Sequence, residues 1–226
     1  MCGRFALFSH PEALAFDLEA EGGFDFPPPR FNIAPGSPIL ALRSAPDGRR
    51  SFANLHWGLI PSWAKDRRFG YRTINARAET LAEKPSFRDA FMKRRCLIPA
   101  DGFYEWETTD SGKQPYFIRR AEAGLLAFAG LWGRWTDRET GEVVESATIV
   151  VTRANDLVGR IHDRMPVILD PDDFGIWLDP RSAPGPTLKG LLRPMASESL
   201  DMHPVDPRVG RSTHDDPGLI QPIEGR

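Results

Sequence analysis

Cys2 stands one residue from the start of the chain, so loss of a single methionine leaves a cysteine with a free α-amine beside its thiol. Such a 1,2-aminothiol reacts with an aldehyde in two steps. The amine condenses to an imine, and the thiol then closes on the imine carbon to give a thiazolidine. The amine titrates near ~7.7–8 and the thiol near ~8.5, so both supply reactive free base close to neutrality. An isolated cysteine is more often a small buried hydrophobe, and the assignment depends on what else the chain carries.

Three further segments carry proton-transfer or recognition chemistry. In Thr73-Ile74-Asn75-Ala76-Arg77, Asn75 offers both a donor and an acceptor. Arg77, two residues on, shares its side of an extended segment and can grip a phosphate. The same residues also read as Asn75 capping a following helix beside a solvated Arg77. In Asp101-Gly102-Phe103-Tyr104-Glu105-Trp106-Glu107, strand alternation puts Glu105 on the face of Phe103. A carboxylate against apolar surface has a raised pKa and becomes a general acid or base near pH 7, although an exposed strand carboxylate is the commoner case. In Arg160-Ile161-His162-Asp163-Arg164-Met165-Pro166, His162 and Arg164 share a side if extended, and Pro166 discourages a helix. A surface loop fits that stretch equally well. Trp57-Gly58-Leu59-Ile60-Pro61-Ser62-Trp63 adds two tryptophans beside a basic segment. Rings next to arginines suit single-stranded nucleic acid, whereas burial in the core is the ordinary fate of a residue such as Trp57.

The elements that must position these groups read as many short strands. Strands are expected at Cys2–Phe8, Pro38–Arg43, Ser51–Trp57, Cys96–Pro99, Phe103–Glu107, Tyr116–Arg119, Leu125–Trp132, Ala147–Thr152 and Val167–Leu169. Helices are expected after a Ser9 cap, with Leu14, Ala15 and Leu18 on one face, and at Pro85–Lys93, Asp172–Leu178 and Thr187–Leu192. This pattern predicts an α+β fold with one curved, mostly antiparallel sheet system. The Pro/Gly-rich stretches at Phe26–Arg30 and Arg181–Pro186 are too short to divide it, so the expectation is one domain over residues 1–226. The closing Ile-Glu-Gly-Arg carries no structural weight.

At 226 residues, with 41% hydrophobic and 27% charged, the chain can bury a full core. No run reaches membrane-spanning length, and no basic-then-apolar leader opens it, which predicts a cytoplasmic protein with no membrane partner. Two cysteines without a CxxC, and five scattered histidines, support neither a disulfide framework nor a metal site. The net charge of −2 hides an asymmetry: residues 41–100 hold thirteen Lys/Arg against five acids, net +8, leaving −10 elsewhere. Such a segment is either a footprint for a phosphate backbone or a set of solvated arginines.

Taken together and in order, the motifs resemble one family, the SRAP (SOS response-associated peptidase) proteins. The resemblance rests on Met1-Cys2-Gly3-Arg4-Phe5, Phe31-Asn32-Ile33-Ala34-Pro35-Gly36, Trp57–Pro61, Ile74-Asn75-Ala76-Arg77-Ala78-Glu79, Cys96–Trp106, Ile161–Pro166 and His203-Pro204-Val205. It implies one α+β domain that removes its own Met1 and uses Cys2 to form a thiazolidine with the ring-opened aldehyde of an abasic site in single-stranded DNA. By the same resemblance Asn75, Glu105 and His162 surround Cys2, and Arg4, Arg77 and Arg164 hold phosphates. Trp63 packs near the DNA, joined on that surface by Asn32, Pro35 and Thr152. It further implies no cofactor, a monomer, DNA single-strand/double-strand junctions as partners, and, in a bacterium, association with the nucleoid during DNA damage. Two other classes stay open: a non-covalent reader of single-stranded or modified DNA, and a thiol peptidase acting in trans.

Overall fold

Strand-forming runs dominate the chain, and their pairing closes a barrel. The computed structural model describes residues 2–20, 24–45, 47–183 and 185–223. Thirteen strands are described: β1 (Phe5–Leu7), β2 (Arg30–Ile33), β3 (Pro38–Ser44), β4 (Arg50–Trp57), β5 (Asn75–Arg77), β6 (Arg95–Ala100), β7 (Gly102–Thr109), β8 (Gly112–Arg120), β9 (Leu126–Thr136), β10 (Val143–Arg153), β11 (Arg164–Pro166), β12 (Ile168–Leu169) and β13 (Leu200–Pro204). Strand β10 pairs with β4, β4 with β3, β3 with β6, β6 with β9, and β9 again with β10. That ring leaves its members no free edge. Strands β5 and β11 add to β10 and β12 adds to β9, and the remaining five form a sheet in the order β13-β8-β7-β1-β2. All pairings are antiparallel except those of β10 with β4 and β5. Four short helices, α1 (Pro11–Asp17), α2 (Arg88–Lys93), α3 (Pro171–Leu178) and α4 (Pro186–Gly190), sit between strands. The fold is α+β, as expected.

Barrel and sheet share a core. Phe5 meets Trp57 edge-on at 5.2 Å and Phe128 at 6.0 Å, and Phe103 meets Phe128 at 6.0 Å. All four rings are buried, each contributing on the order of 1.5–3 kcal/mol by removal from water. Trp57 is thus a core residue, its indole N–H donating to the Ile74 carbonyl at 3.0 Å. The chain crosses from β6 to β7 through Asp101 alone, whose carboxylate accepts from the N–H groups of Phe8 and Ser9 at 2.6 and 2.9 Å. Gly102 follows because a Cβ there would lie 2.3 Å from the Phe117 ring and 2.7 Å from the Ile118 carbonyl.

Several expected boundaries shift. The first strand is confined to Phe5–Leu7, where β2 and β7 pair with it, rather than running Cys2–Phe8. Ser9 does not cap α1: His10 holds that position and Pro11 opens the helix, while the Ser9 hydroxyl bonds Asp101 instead. The Pro85–Lys93 helix begins at Arg88, and the Thr187–Leu192 helix spans Pro186–Gly190. Asn75 belongs to β5 rather than to a helix cap, and the chain after Arg77 turns instead of forming the helix its pattern suggested. Met1, Pro184 in the Arg181–Pro186 stretch, and Glu224–Arg226 of the C-terminal tetrapeptide lie outside the described residues.

Candidate active site

Cys2 is completely buried just ahead of β1, and three separate segments meet it. Strand β5, held parallel to β10 with Asn75 opposite Ile149, brings the first. The Asn75 amide donates to the Cys2 carbonyl at 2.9 Å. Its Oδ1 is buried with no hydrogen-bond partner among the described residues, an acceptor facing a site that contains little else to accept from. Strand β7 brings the second. Phe103 lies opposite Phe5, and the Tyr104 N–H donates to the Arg4 carbonyl at 3.0 Å, so Glu105 runs beside the residues that precede β1. Glu105 is 2% exposed. Burial pushes its carboxyl up to about 7, against the lowering pull of the positive chain terminus. Near neutrality it therefore exists in both protonation states.

His162 comes from the third segment, the turn before β11, whose Ala154 N–H to Asp163 carbonyl bond of 3.0 Å ties it to the end of β10. The Arg164 backbone N–H donates to His162 Nδ1 at 3.0 Å. The same Nδ1 lies 3.3 Å from the Arg164 carbonyl and 3.3 Å from Asp163 Oδ1, while Nε2 lies 3.9 Å from Glu105 Oε2. Burial holds the imidazole below its ordinary pKa. The result is an imidazole kept from charging beside a carboxyl kept from ionising, both by burial. The Cys2 thiol is pushed far up, first by burial and then by the nearby Glu105 charge, so it is held as a thiol and needs a base when it reacts.

Around this centre lies a basic rim. The Arg4 guanidinium donates to Asn32 Oδ1 at 3.1 Å and to the Val209 and Gly210 carbonyls at 2.8 and 3.3 Å. Asn32 is fully buried, and its amide donates to the carbonyls of Val209, Arg211 and His214, so it contributes to this rim only through the arginine it holds. Thr152 is also buried, its hydroxyl donating to the Leu192 carbonyl at 3.3 Å. Pro35 lies in the turn between β2 and β3, where the Tyr71 ring approaches Gly36. Trp63 is 48% exposed, edge-on to Phe69 at 5.0 Å, over a hollow of about 540 Å³ lined by Lys65, Asp66, Arg68 and Arg72. Arg77 is exposed. Arg164 donates to Glu79 at 2.5 Å. The structure therefore brings Cys2, Asn75, Glu105 and His162 into one centre, with Arg4, Arg77 and Arg164 each two residues along the chain from a member of it, while Asn32 and Thr152 are buried supports and Trp63 stands over a hollow of its own.

The chain as a whole matches a known family. Residues 1–212 match the family model described as SOS response associated peptidase (SRAP). The chain belongs to the SRAP family. It is 41% identical to the abasic site processing protein YoqW of Bacillus subtilis, over 98% of this chain and 99% of that one. It is 34% identical to the abasic site processing protein HMCES of Gallus gallus, over 87% of this chain and 67% of that one. Among solved structures, a protein from Bacteroides thetaiotaomicron superposes with a TM-score of 0.88 at 27% identity, over 99% of this chain and all of the other.

Within this SRAP chain, sequence reasoning gave no role to Glu79 or to the C-terminal segment that holds Arg4. The spacing Arg77-Ala78-Glu79 carries a signal for the first, an acid beside a phosphate-gripping base. The second acts through backbone carbonyls, which no side-chain pattern announces. No group of three or more His, Cys, Asp or Glu among the described residues is arranged to hold a metal ion. No helix among them is long and apolar enough to cross a membrane.

Proposed function

We propose that this chain processes abasic sites in single-stranded DNA by linking Cys2 covalently to the opened sugar. The convergence of Asn75, Glu105 and His162 on Cys2, from three segments far apart in sequence, is the observation that carries the reading. The names of the relatives, abasic site processing proteins at 41% and 34% identity, agree with it.

Chemistry begins with hydrolysis of the Met1–Cys2 peptide bond, which consumes one water and frees the Cys2 amine. Asn75 Oδ1 then accepts a hydrogen bond from that amine while its Nδ2 holds the Cys2 carbonyl. An abasic deoxyribose is mostly a closed hemiacetal, and it opens as its anomeric hydroxyl loses a proton and its ring oxygen gains one while the C–O bond breaks, a relay that His162 Nε2 is placed to assist. The amine adds to the aldehyde carbon, and protonated Glu105 gives its proton to the hydroxyl that leaves as water, forming the imine. Glu105, now a carboxylate, takes the thiol proton as sulfur bonds to the carbon of the imine, which still carries its N–H proton and is cationic, and the C=N electron pair passes to nitrogen to complete the neutral thiazolidine. The sequence from amine to ring releases one water and needs no oxidant or cofactor. An imine also acidifies the neighbouring C–H, so strand cleavage by β-elimination competes; ring closure removes the imine and suppresses it.

The test is to incubate protein whose mass shows loss of one methionine with an abasic single-stranded oligonucleotide, then heat it in denaturant. A surviving conjugate is expected. Its absence with retained binding supports a non-covalent reader, and cleavage of an added peptide supports a peptidase acting in trans. Full conjugation by protein that retains Met1 overturns the mechanism, because the amine would then be an amide.

A further inference from the structure

Glu79 follows β5 and reaches Arg164 at the start of β11, with Oε1 2.5 Å from Nη1. The two belong to opposite edges of β10: Arg77 of β5 and Pro166 of β11 both pair with Val151, so the ion pair spans the end of that strand. Backbone bonds fix Glu79 from both sides, Ala78 N–H to the Val151 carbonyl at 2.8 Å and Leu81 N–H to the Arg77 carbonyl at 2.9 Å. The pair is open to solute, Glu79 being 46% and Arg164 19% exposed. Partial desolvation works against ionisation of Glu79, but its own backbone N–H and the Arg164 and Arg77 guanidiniums hold its carboxyl below the usual range. A charged carboxylate therefore sits on the guanidinium that also, through its backbone N–H, orients His162. Carboxylate and phosphate oxygens compete for the same guanidinium fork.

We propose that Glu79 is a resident competitor for the Arg164 phosphate site, which keeps the non-covalent grip on undamaged single-stranded DNA weak and leaves retention to the bond formed at Cys2. This rests on the function proposed above. A phosphate that reaches Arg164 must displace Glu79, so the new ion pair is offset by the one it replaces. The counterion that the DNA releases is likewise matched by one drawn to the freed carboxylate. An abasic strand is held afterwards by a covalent bond; an intact strand has nothing to compensate the exchange.

The experiment measures binding of an undamaged single-stranded oligonucleotide by fluorescence anisotropy across a salt series, for wild type, Glu79→Gln, Arg164→Ala and the double variant. Conjugation of an abasic oligonucleotide of the same sequence is followed in parallel. Glu79→Gln should tighten binding about five-fold at 0.1 M salt and steepen the salt dependence by roughly 0.7 in slope. In the Arg164→Ala background the same change should gain less than about two-fold, the remainder being the general loss of one negative charge. An equal gain in both backgrounds overturns the inference, because the effect is then long-range charge alone. Unchanged or weaker binding by Glu79→Gln also overturns it, making Glu79 an orienting partner of Arg164. Failure of wild type to conjugate abasic DNA strikes the proposed function instead, and is read on a different oligonucleotide.

Discussion

Cys2 and Glu105 are buried almost completely, whereas Trp63, Arg77 and Glu79 stand in solvent on the same molecule. The two regions are built differently. The interior is held by the pairing of β1 with β7 and by the Asn75 amide, and its low polarity moves the Glu105 carboxyl to about 7 and keeps Cys2 a thiol. The rim is carried on loops and on the ends of short strands, and its charges are screened by water and by one another. Burial is what turns an ordinary glutamate into an acid and a base at neutral pH; exposure is what leaves arginine and tryptophan free to meet a long, charged polymer.

The interior should give the largest effects. Cys2→Ala is expected to abolish the heat-stable conjugate outright, leaving an imine that borohydride can trap and more strand cleavage than wild type; a conjugate surviving without reductant would refute the thiazolidine. Next comes Glu105→Gln, which keeps shape but cannot exchange a proton. On protein produced with Cys2 already exposed, it should slow conjugation by roughly 10²–10⁴-fold and flatten the pH–rate profile around neutrality. A wild-type rate and profile would make Glu105 structural.

The same carboxyl links the site to stability. Its folded pKa of about 7 lies above the ordinary value of 4.5, so between those values the folded state binds more protons than the unfolded one. Stability from Glu105 is therefore complete below pH ~4.5 and is lost as pH rises through ~7, on the order of 3 kcal/mol across the window. Thermal melts of wild type should lose more stability from pH 5 to pH 8 than those of Glu105→Gln. Parallel pH dependence in the two proteins would mean that the carboxyl is not shifted.

Rim effects should be smaller, and the loop that carries them is held by a backbone contact. Gly58, at φ 131°, and Gly70 pack so closely that a Cβ on Gly70 would lie 2.7 Å from the Gly58 carbonyl oxygen. Gly70→Ala should cost about 1–3 kcal/mol of stability by chemical denaturation, since the nearest atom is backbone and cannot swing away. Trp63→Ala should weaken single-strand binding by about 1–3 kcal/mol if its ring stacks on a base, with conjugation at saturating DNA much less affected. Smallest of all, Arg77→Gln should lower affinity alike for every sequence and flatten the salt slope by roughly 0.7. Base-dependent losses would mean that Arg77 reads bases rather than phosphate.

Residue types and order alone determined much of this protein. The alternating runs marked most of the long strands, the motif order from Met1-Cys2 to His203-Pro204-Val205 marked the family, and that resemblance, rather than local chemistry, joined the four reactive side chains into one site. The remainder depends on contacts between distant segments. Strands β2, β11 and β13 are three to five residues long, too short for periodicity to register, and exist because β1, β10 and β8 offer them edges. Ser9 looked like a helix cap, but both its hydroxyl and its backbone N–H donate to the Asp101 carboxylate, which only the β6–β7 crossing brings near. Asn32 looked like a surface polar residue until the C-terminal carbonyls enclosed it. The raised pKa of Glu105, the approach of His162 to it and the pairing of Glu79 with Arg164 are likewise tertiary facts. A pKa, a proton position or an ion pair depends on distance and on the exclusion of water, and neither exists until the barrel closes and the second sheet packs against it.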